Sequence, residues 1–111
     1  MRDAYGKCAV STEHSLPALE AAHIKPYSHG GEHEISNGLL LRADIHKLFD
    51  AGYVTVTPDH RFRVSERLAD EYHNGKVYYR YNDSRIWVPP NAAWHPDPDA
   101  LAYHGEEVFV G

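Results

Sequence analysis

The sequence predicts an α+β fold within one small domain. Short segments that alternate apolar and polar residues are joined by turn-forming residues, which is typical of β-hairpins. Other segments place apolar residues three or four positions apart, as amphipathic helices do. Hairpins and separated helices in one chain of 111 residues indicate an α+β domain spanning residues 1–111.

The N-terminal elements are predicted from their boundaries. Residues 2–6 are typical of the end of a helix, with Gly6 as its C-terminal stop. Residues 7–11 and 18–24 are predicted to form two strands joined by the turn-like residues 11–15. We expect Pro26 to end the second strand, before a loop rich in glycine and polar groups at residues 28–34.

The central segment is predicted to be a helix followed by a hairpin. Residues 39–49 have apolar side chains at positions 41, 45, 48 and 49, and Gly52 lies just beyond them. Residues 53–57 alternate as a strand does, and residues 61–64 are predicted to pair with them after a turn at 58–60.

The C-terminal part is predicted from caps and breakers. Ser65 is a favourable N-cap for a short helix that we expect to end near residues 74–75. Residues 77–88 are aromatic and have the pattern of a strand, and two prolines at 89–90 interrupt it. Residues 97–99 are a favourable start for a last helix running towards Val108.

Composition excludes several classes of protein. One cysteine, Cys8, excludes a disulfide framework and a zinc ribbon, and its apolar neighbours predict a buried core thiol. The net charge of −5 argues against a domain that holds DNA by itself, because phosphate binding is largely cationic. Without a signal peptide or an apolar run of roughly 20 residues, we expect a cytoplasmic protein with no membrane partner.

Nine histidines make metal or acid–base chemistry worth considering. His46 and Asp50 are four residues apart on the predicted helix, so both side chains could reach one cation. The same spacing also fits an exposed helix pair, and His23 on its strand also fits a core histidine. Asp44 is a competing ligand that should point the opposite way from His46. Asn37 precedes a glycine, which alone is a strong turn signal.

Residues 19–52 contain, in order, an Ala-His-Ile strand, an Asn-Gly-Leu turn and a Leu-Phe-Asp-x-Gly helix end. Together these motifs resemble the HNH endonuclease family and its ββα-metal (His-Me finger) core, here with an added C-terminal hairpin and helices. The resemblance implies that His23 is the general base that activates water and that His46 ligates a metal. It implies a second ligand or a helix brace at Asp50, and a loop-tying role for Asn37 that helps to orient the catalytic strand.

One position departs from the family pattern. Many HNH enzymes place a metal-binding Asp or His directly before the general base, where this chain has Ala22. The remaining ligands are compatible with Mg²⁺, Mn²⁺, Ni²⁺ or Zn²⁺ as the divalent cofactor. Glu20 is a more remote alternative ligand. Arg42 and Lys47 flank the helix and are candidate phosphate contacts or simply solvated surface cations.

The resemblance implies hydrolysis of DNA phosphodiester bonds, leaving 5′-phosphate and 3′-hydroxyl ends, in restriction or phage defence. It also implies that the domain is the C-terminal part of a longer protein with a target-recognition domain, and leaves a homodimer open. The alternative is an inactive HNH-like module that binds metal or nucleic acid, which Ala22 favours. A metalloprotease is disfavoured because the sequence has no His-Glu-x-x-His helix.

Overall fold

The computed structural model describes residues 1–25, 35–72 and 76–111. Short helices and two small antiparallel sheets in this part of the chain confirm the α+β class. The described helices are Arg2–Tyr5 (α1), Ala43–Ala51 (α2), Arg67–Tyr72 (α3), Lys76–Tyr79 (α4) and Pro98–Tyr103 (α5). The described strands are Leu19–His23 (β1), Gly38–Arg42 (β2), Val54–Val56 (β3) and Phe62–Val64 (β4).

Strands β1 and β2 form an antiparallel pair in which Leu19 lies opposite Arg42 and His23 lies opposite Gly38. Helix α2 begins directly after β2, so the chain forms a strand–strand–helix unit. This unit confirms the predicted ββα core. Within this unit, β1 and α2 are in contact with each other.

The predicted helix over residues 39–49 was wrong at its start. Residues 38–42 form β2, and the helix begins at Ala43. Leu39, Leu40 and Leu41 are each at most 1% exposed, so the strand is covered on both faces. A short apolar run of this kind does not distinguish a buried strand from a helix, and pairing with β1 decides the outcome here.

The predicted strand over residues 7–11 and its hairpin with residues 18–24 were also wrong. The backbone N–H of Cys8 donates to Glu13 and that of Thr12 donates to Cys8, which closes a turn in this segment. Ala9 still donates one backbone hydrogen bond to Leu40. The segment therefore lies beside β2 without forming a strand, and Cys8 is a buried free thiol, as predicted.

The hairpin after Gly52 is confirmed, because β3 and β4 pair with Val54 opposite Val64. The predicted strand over residues 77–88 was wrong. The helix α4 occupies the start of this segment, and turns follow at residues 80–83. Side-chain hydrogen bonds explain this outcome. The Tyr78 hydroxyl donates to Asp44 and the Tyr79 hydroxyl donates to the Ser65 carbonyl, so these aromatic residues anchor a folded segment.

Caps set the boundaries of the remaining helices. The Ser65 hydroxyl accepts the backbone N–H of Arg67 at the start of α3, as its sequence position predicted. Asp97 caps α5 by accepting from the backbone of Ala100, and a π-helical turn, His104–Val108, follows α5. The last helix thus begins where predicted and reaches Val108 with a change of helical type.

One buried cluster joins both sheets, α2 and α5, and its largest fully buried side chains include Phe49, Phe62, Leu19, Ile24 and Leu101. The predictions for Pro26, for the loop at 28–34 and for the helix end near 74–75 lie outside the described residues. In the part of the chain that the structure describes, no helix is long and apolar enough to cross a membrane.

Candidate active site

An open pocket of about 400 Å³ lies where the end of β1 meets α2. It brings together three of the residues predicted from the sequence, His23, His46 and Asp50. Its other lining residues are Ala21, Ile24, His104 and Val108. A strand histidine and a helical His/Asp pair therefore share one cavity, as the predicted chemistry requires.

The burial pattern of β1 turns His23 towards solvent. Leu19 and Ala22 are at most 1% exposed and face the core, whereas His23 is exposed at the C-terminal end of the strand. Ile24 follows and is buried, and its backbone N–H donates to the Asn37 carbonyl at 3.0 Å. The strand is therefore fixed on both sides of His23 while its side chain lines the pocket.

Asn37 ties the end of β1 to the turn that precedes β2. Its side-chain amide donates to the Lys25 carbonyl, and its side-chain oxygen accepts the Lys25 backbone N–H, each at 3.0 Å. Asn37 is 6% exposed, so these bonds are largely shielded from water. This contact fixes the backbone two residues beyond His23.

His46 and Asp50 lie one turn apart on α2 and are in contact. His46 Nε2 is 3.1 Å from Asp50 Oδ2. The other ring nitrogen, Nδ1, is 2.8 Å from Oε1 of Glu20 on β1. The imidazole of His46 therefore lies between two carboxylates that come from different elements.

The pair formed by His46 and Asp50 fits a divalent cation. Two donor atoms bound at about 2.1 Å and at a right angle to each other are about 3.0 Å apart, close to the observed 3.1 Å. Imidazole nitrogen and carboxylate oxygen suit Mn²⁺, Ni²⁺ and Zn²⁺, and Mg²⁺ accepts the carboxylate. Within residues 1–25, 35–72 and 76–111 there is no arranged group of three or more His, Cys, Asp or Glu ligands.

The other candidate residues on β2 and α2 lie in different surroundings. Asp44 accepts two hydrogen bonds from the Arg42 guanidinium, at 2.7 and 3.1 Å, and one from the Tyr78 hydroxyl. Burial acts to raise the Asp44 pKa, but these bonds outweigh it and hold the pKa below its ordinary value. The Asp44 carboxylate is therefore bound by Arg42 and Tyr78 and not by His46. Lys47 is exposed. Phosphate binding by Arg42 and Lys47 remains a prediction.

His104 is a pocket residue that sequence reasoning missed. Its ring stacks on Phe49 with centroids 3.7 Å apart, and Nε2 donates to the Phe49 carbonyl at 2.8 Å. That assigns the proton to Nε2, so Nδ1 accepts from the Thr55 hydroxyl at 2.7 Å. Burial lowers the pKa of His104 and favours this neutral form. No sequence spacing links His104 to Phe49, 55 positions earlier.

The strand histidine and the helical His/Asp pair thus share a pocket on a strand–strand–helix core, which is the ββα arrangement that the motifs predicted. The family model described as "HNH endonuclease" matches residues 8–57. Residues 8–57 are therefore similar to the HNH endonuclease family, which confirms the resemblance stated from the motifs. The matched range includes His23, Asn37, His46 and Asp50.

A solved structure extends the similarity in fold to nearly the whole chain. It is described as "Modification dependent TagI restriction endonuclease", with a TM-score of 0.67 and 23% identity over 93% of this chain. This chain spans 34% of the length of that protein. A comparison with curated protein sequences gives no match.

Proposed function

We propose that this domain is a metal-dependent endonuclease that hydrolyses DNA phosphodiester bonds, with His23 as its general base. The observation that carries the proposal is the common pocket of His23, His46 and Asp50, reached from a strand and a helix. The match of residues 8–57 to the HNH endonuclease family model supports phosphodiester hydrolysis as the reaction class.

His23 acts on the attacking water. Its imidazole, exposed at the end of β1, accepts a proton as the water oxygen forms a bond to phosphorus. The bond from phosphorus to the 3′ oxygen breaks, and that oxygen takes a proton from solvent. The products are a 5′-phosphate and a 3′-hydroxyl. Asn37 keeps the backbone beyond His23 in place through its two bonds to Lys25.

His46 and Asp50 hold the divalent cation. When bound, such an ion supplies Lewis-acid polarisation of the phosphate and stabilises the negative charge that develops on its oxygens. Because both donors are on one helix turn, their separation is set by the helix backbone. The candidate ions are Mg²⁺, Mn²⁺, Ni²⁺ and Zn²⁺, since two donors of these types do not select one of them.

The biological role that fits best is restriction of modified or foreign DNA as a defence against phage. The similar structure is, by its description, a modification-dependent restriction enzyme, and this chain matches only part of its length. The net charge of −5 agrees with a catalytic domain that relies on a separate target-recognition domain to bind DNA.

The test is nicking of supercoiled plasmid by the purified chain with Mg²⁺, Mn²⁺ or Ni²⁺. We expect nicking that needs a cation and that falls by about 100-fold or more in His23→Ala, since general bases contribute roughly 10²–10⁴-fold. His14→Ala, which changes an exposed histidine outside the pocket lining, is the matched control and should retain full activity.

A second candidate is an HNH-like module that binds metal or nucleic acid without cutting. Ala22 favours it, because the residue directly before His23 is an alanine that is 1% exposed and has no ligand atom. Cation binding without nicking by the chain, alone or joined to a DNA-binding domain, would support this candidate. Equal nicking by the wild type and His23→Ala would reject His23 as the base.

A further inference from the structure

We propose that Glu20 is a positioning residue that fixes the ring orientation and the tautomer of His46. This inference rests on the proposed function, because it concerns how the metal ligand on α2 is held. The observation is the 2.8 Å contact between Glu20 Oε1 and His46 Nδ1, which joins β1 to α2 next to the pocket.

The geometry separates the role of Glu20 from that of Asp50. Asp50 lies 3.1 Å from Nε2, whereas Glu20 lies 2.8 Å from Nδ1. The two nitrogens of an imidazole point in different directions, so a cation bound between Nε2 and Asp50 is directed away from Glu20. The described pocket lining agrees, since it includes Asp50 and His46 but not Glu20.

The helix backbone alone does not fix the ring orientation or the tautomer of an imidazole on its surface. Rotation of the ring by half a turn exchanges carbon and nitrogen positions, and the neutral ring has two tautomers. Only the tautomer with its proton on Nδ1 leaves a lone pair on Nε2 for a metal. A carboxylate that accepts the Nδ1 proton selects both the orientation and the tautomer, as carboxylate partners of metal-binding histidines generally do.

The position of Glu20 on β1 suits this role. Leu19 and Ala22 on the same strand are buried, which anchors the strand, while the Glu20 side chain lies outside the core beside α2. Glu20 lies opposite Leu41 in the sheet, and α2 begins two residues after Leu41. The carboxylate is therefore carried by a paired strand whose distance from the helix is fixed.

The experiment uses the whole chain and Zn²⁺, a diamagnetic probe. Calorimetric titration measures Zn²⁺ affinity in the wild type, Glu20→Gln, Glu20→Ala and the control Glu66→Gln, an exposed carboxylate near α3. We expect Glu20→Ala to bind Zn²⁺ 10–100-fold more weakly with an unchanged stoichiometry. Glu20→Gln keeps a hydrogen-bond acceptor and should fall between the wild type and Glu20→Ala, while Glu66→Gln should match the wild type.

Nitrogen-15 NMR of the His46 ring provides a readout that a loss of packing would not produce. With Zn²⁺ bound, we expect the metal on Nε2 and a slowly exchanging proton on Nδ1, and we expect that proton to exchange faster in Glu20→Ala. Zinc bound at Nδ1 would make Glu20 a ligand and overturn the positioning role. Unchanged affinity in Glu20→Ala, with binding lost in His46→Ala, would also overturn it but leave the proposed function standing. If the wild type binds no cation, both proposals fail together.

Discussion

The side chains of the site are held mostly by backbone and carboxylate contacts that come from distant parts of the sequence. Asn37 bonds to both backbone groups of Lys25, and His46 lies between Glu20 and Asp50. Such contacts fix the direction of a side chain as well as its position. The pocket therefore depends on residues outside its lining, such as Asn37 and Glu20, and the effects of substituting them should be measurable.

Asn37→Ala should lower both stability and nicking. It removes two hydrogen bonds and leaves the Lys25 backbone groups without those partners, at a cost of about 1–3 kcal/mol. Urea unfolding measures the first effect. Nicking measured at a temperature where the variant is fully folded measures the second. Wild-type activity in the folded variant would show that the tie at Lys25 does not orient His23.

The stability of the domain should decrease as the pH falls below about 6.5, in part because of His104. Burial lowers the folded-state pKa of His104, and the hydrogen bond to the Phe49 carbonyl and the nearby charge of Asp50 only partly offset this. Because the unfolded chain binds the proton more readily, the contribution of His104 is complete above about pH 6.5 and is lost below it.

Urea unfolding at pH 7.5 and pH 5.5 measures this effect. His104→Gln should be less stable than the wild type at pH 7.5 by about 1–3 kcal/mol, since it disturbs buried hydrogen bonds to Phe49 and Thr55. Its further loss at pH 5.5 should be smaller than that of the wild type. His60, whose pKa is also lowered by burial, titrates in both proteins and cancels in the comparison. An identical pH dependence would contradict this assignment.

At the scale of elements, the end of α2 depends on Gly52. This residue has a φ of 85°, and its N–H bonds to the Phe49 carbonyl, which closes the helix that carries His46 and Asp50. A β-carbon on Gly52 would also overlap the carbonyl oxygen of Val108 in the π-helical turn. The helix end and the C-terminal segment therefore pack around a position that has no space for a side chain.

Gly52→Ala should destabilise the domain by more than the roughly 1–2 kcal/mol that a left-handed backbone costs a non-glycine residue. Gly6→Ala is the matched control, because Gly6 has a φ of 69° but open space around its missing β-carbon. Thermal unfolding of both variants gives the comparison. Equal losses of stability would show that the contact with Val108 has no energetic weight.

Elements with local signals were predictable from the sequence, and elements decided by pairing were not. The stop at Gly52, the cap at Ser65 and the hairpin at β3 and β4 depend on nearby residues and were confirmed. Residues 38–42 needed the distant strand β1 to become a strand. The segment containing α4 needed distant hydrogen-bond partners for its tyrosines.

The same distinction applies to the site. His23, His46 and Asp50 were chosen from helical spacing and from motifs close in sequence, and the structure places them around one pocket. Glu20 was considered only as a remote ligand, because its contact with His46 spans 26 positions. His104 was missed because its contacts with Phe49 and Thr55 join segments about 50 residues apart.

For the whole molecule, the bound cation should add stability. A domain of 111 residues has a modest core, and a ligand that binds only the folded state adds about 2.7 kcal/mol at 100 times its Kd. We expect Mn²⁺ to raise the melting temperature of the wild type. His46→Ala and Asp50→Ala should show no such rise, whereas Asp59→Ala, which removes an exposed carboxylate away from the pocket, should respond as the wild type does.

The proposed mechanism requires His23 to face a cation held by His46 and Asp50. The most direct measurement is the anomalous difference map from a crystal of the whole chain soaked in Mn²⁺. We predict a single strong peak within about 2.3 Å of both His46 Nε2 and an Asp50 carboxylate oxygen, with His23 lining the same pocket. A peak that avoids this pair, or a His23 ring turned out of the pocket once the ion is bound, would contradict this mechanism.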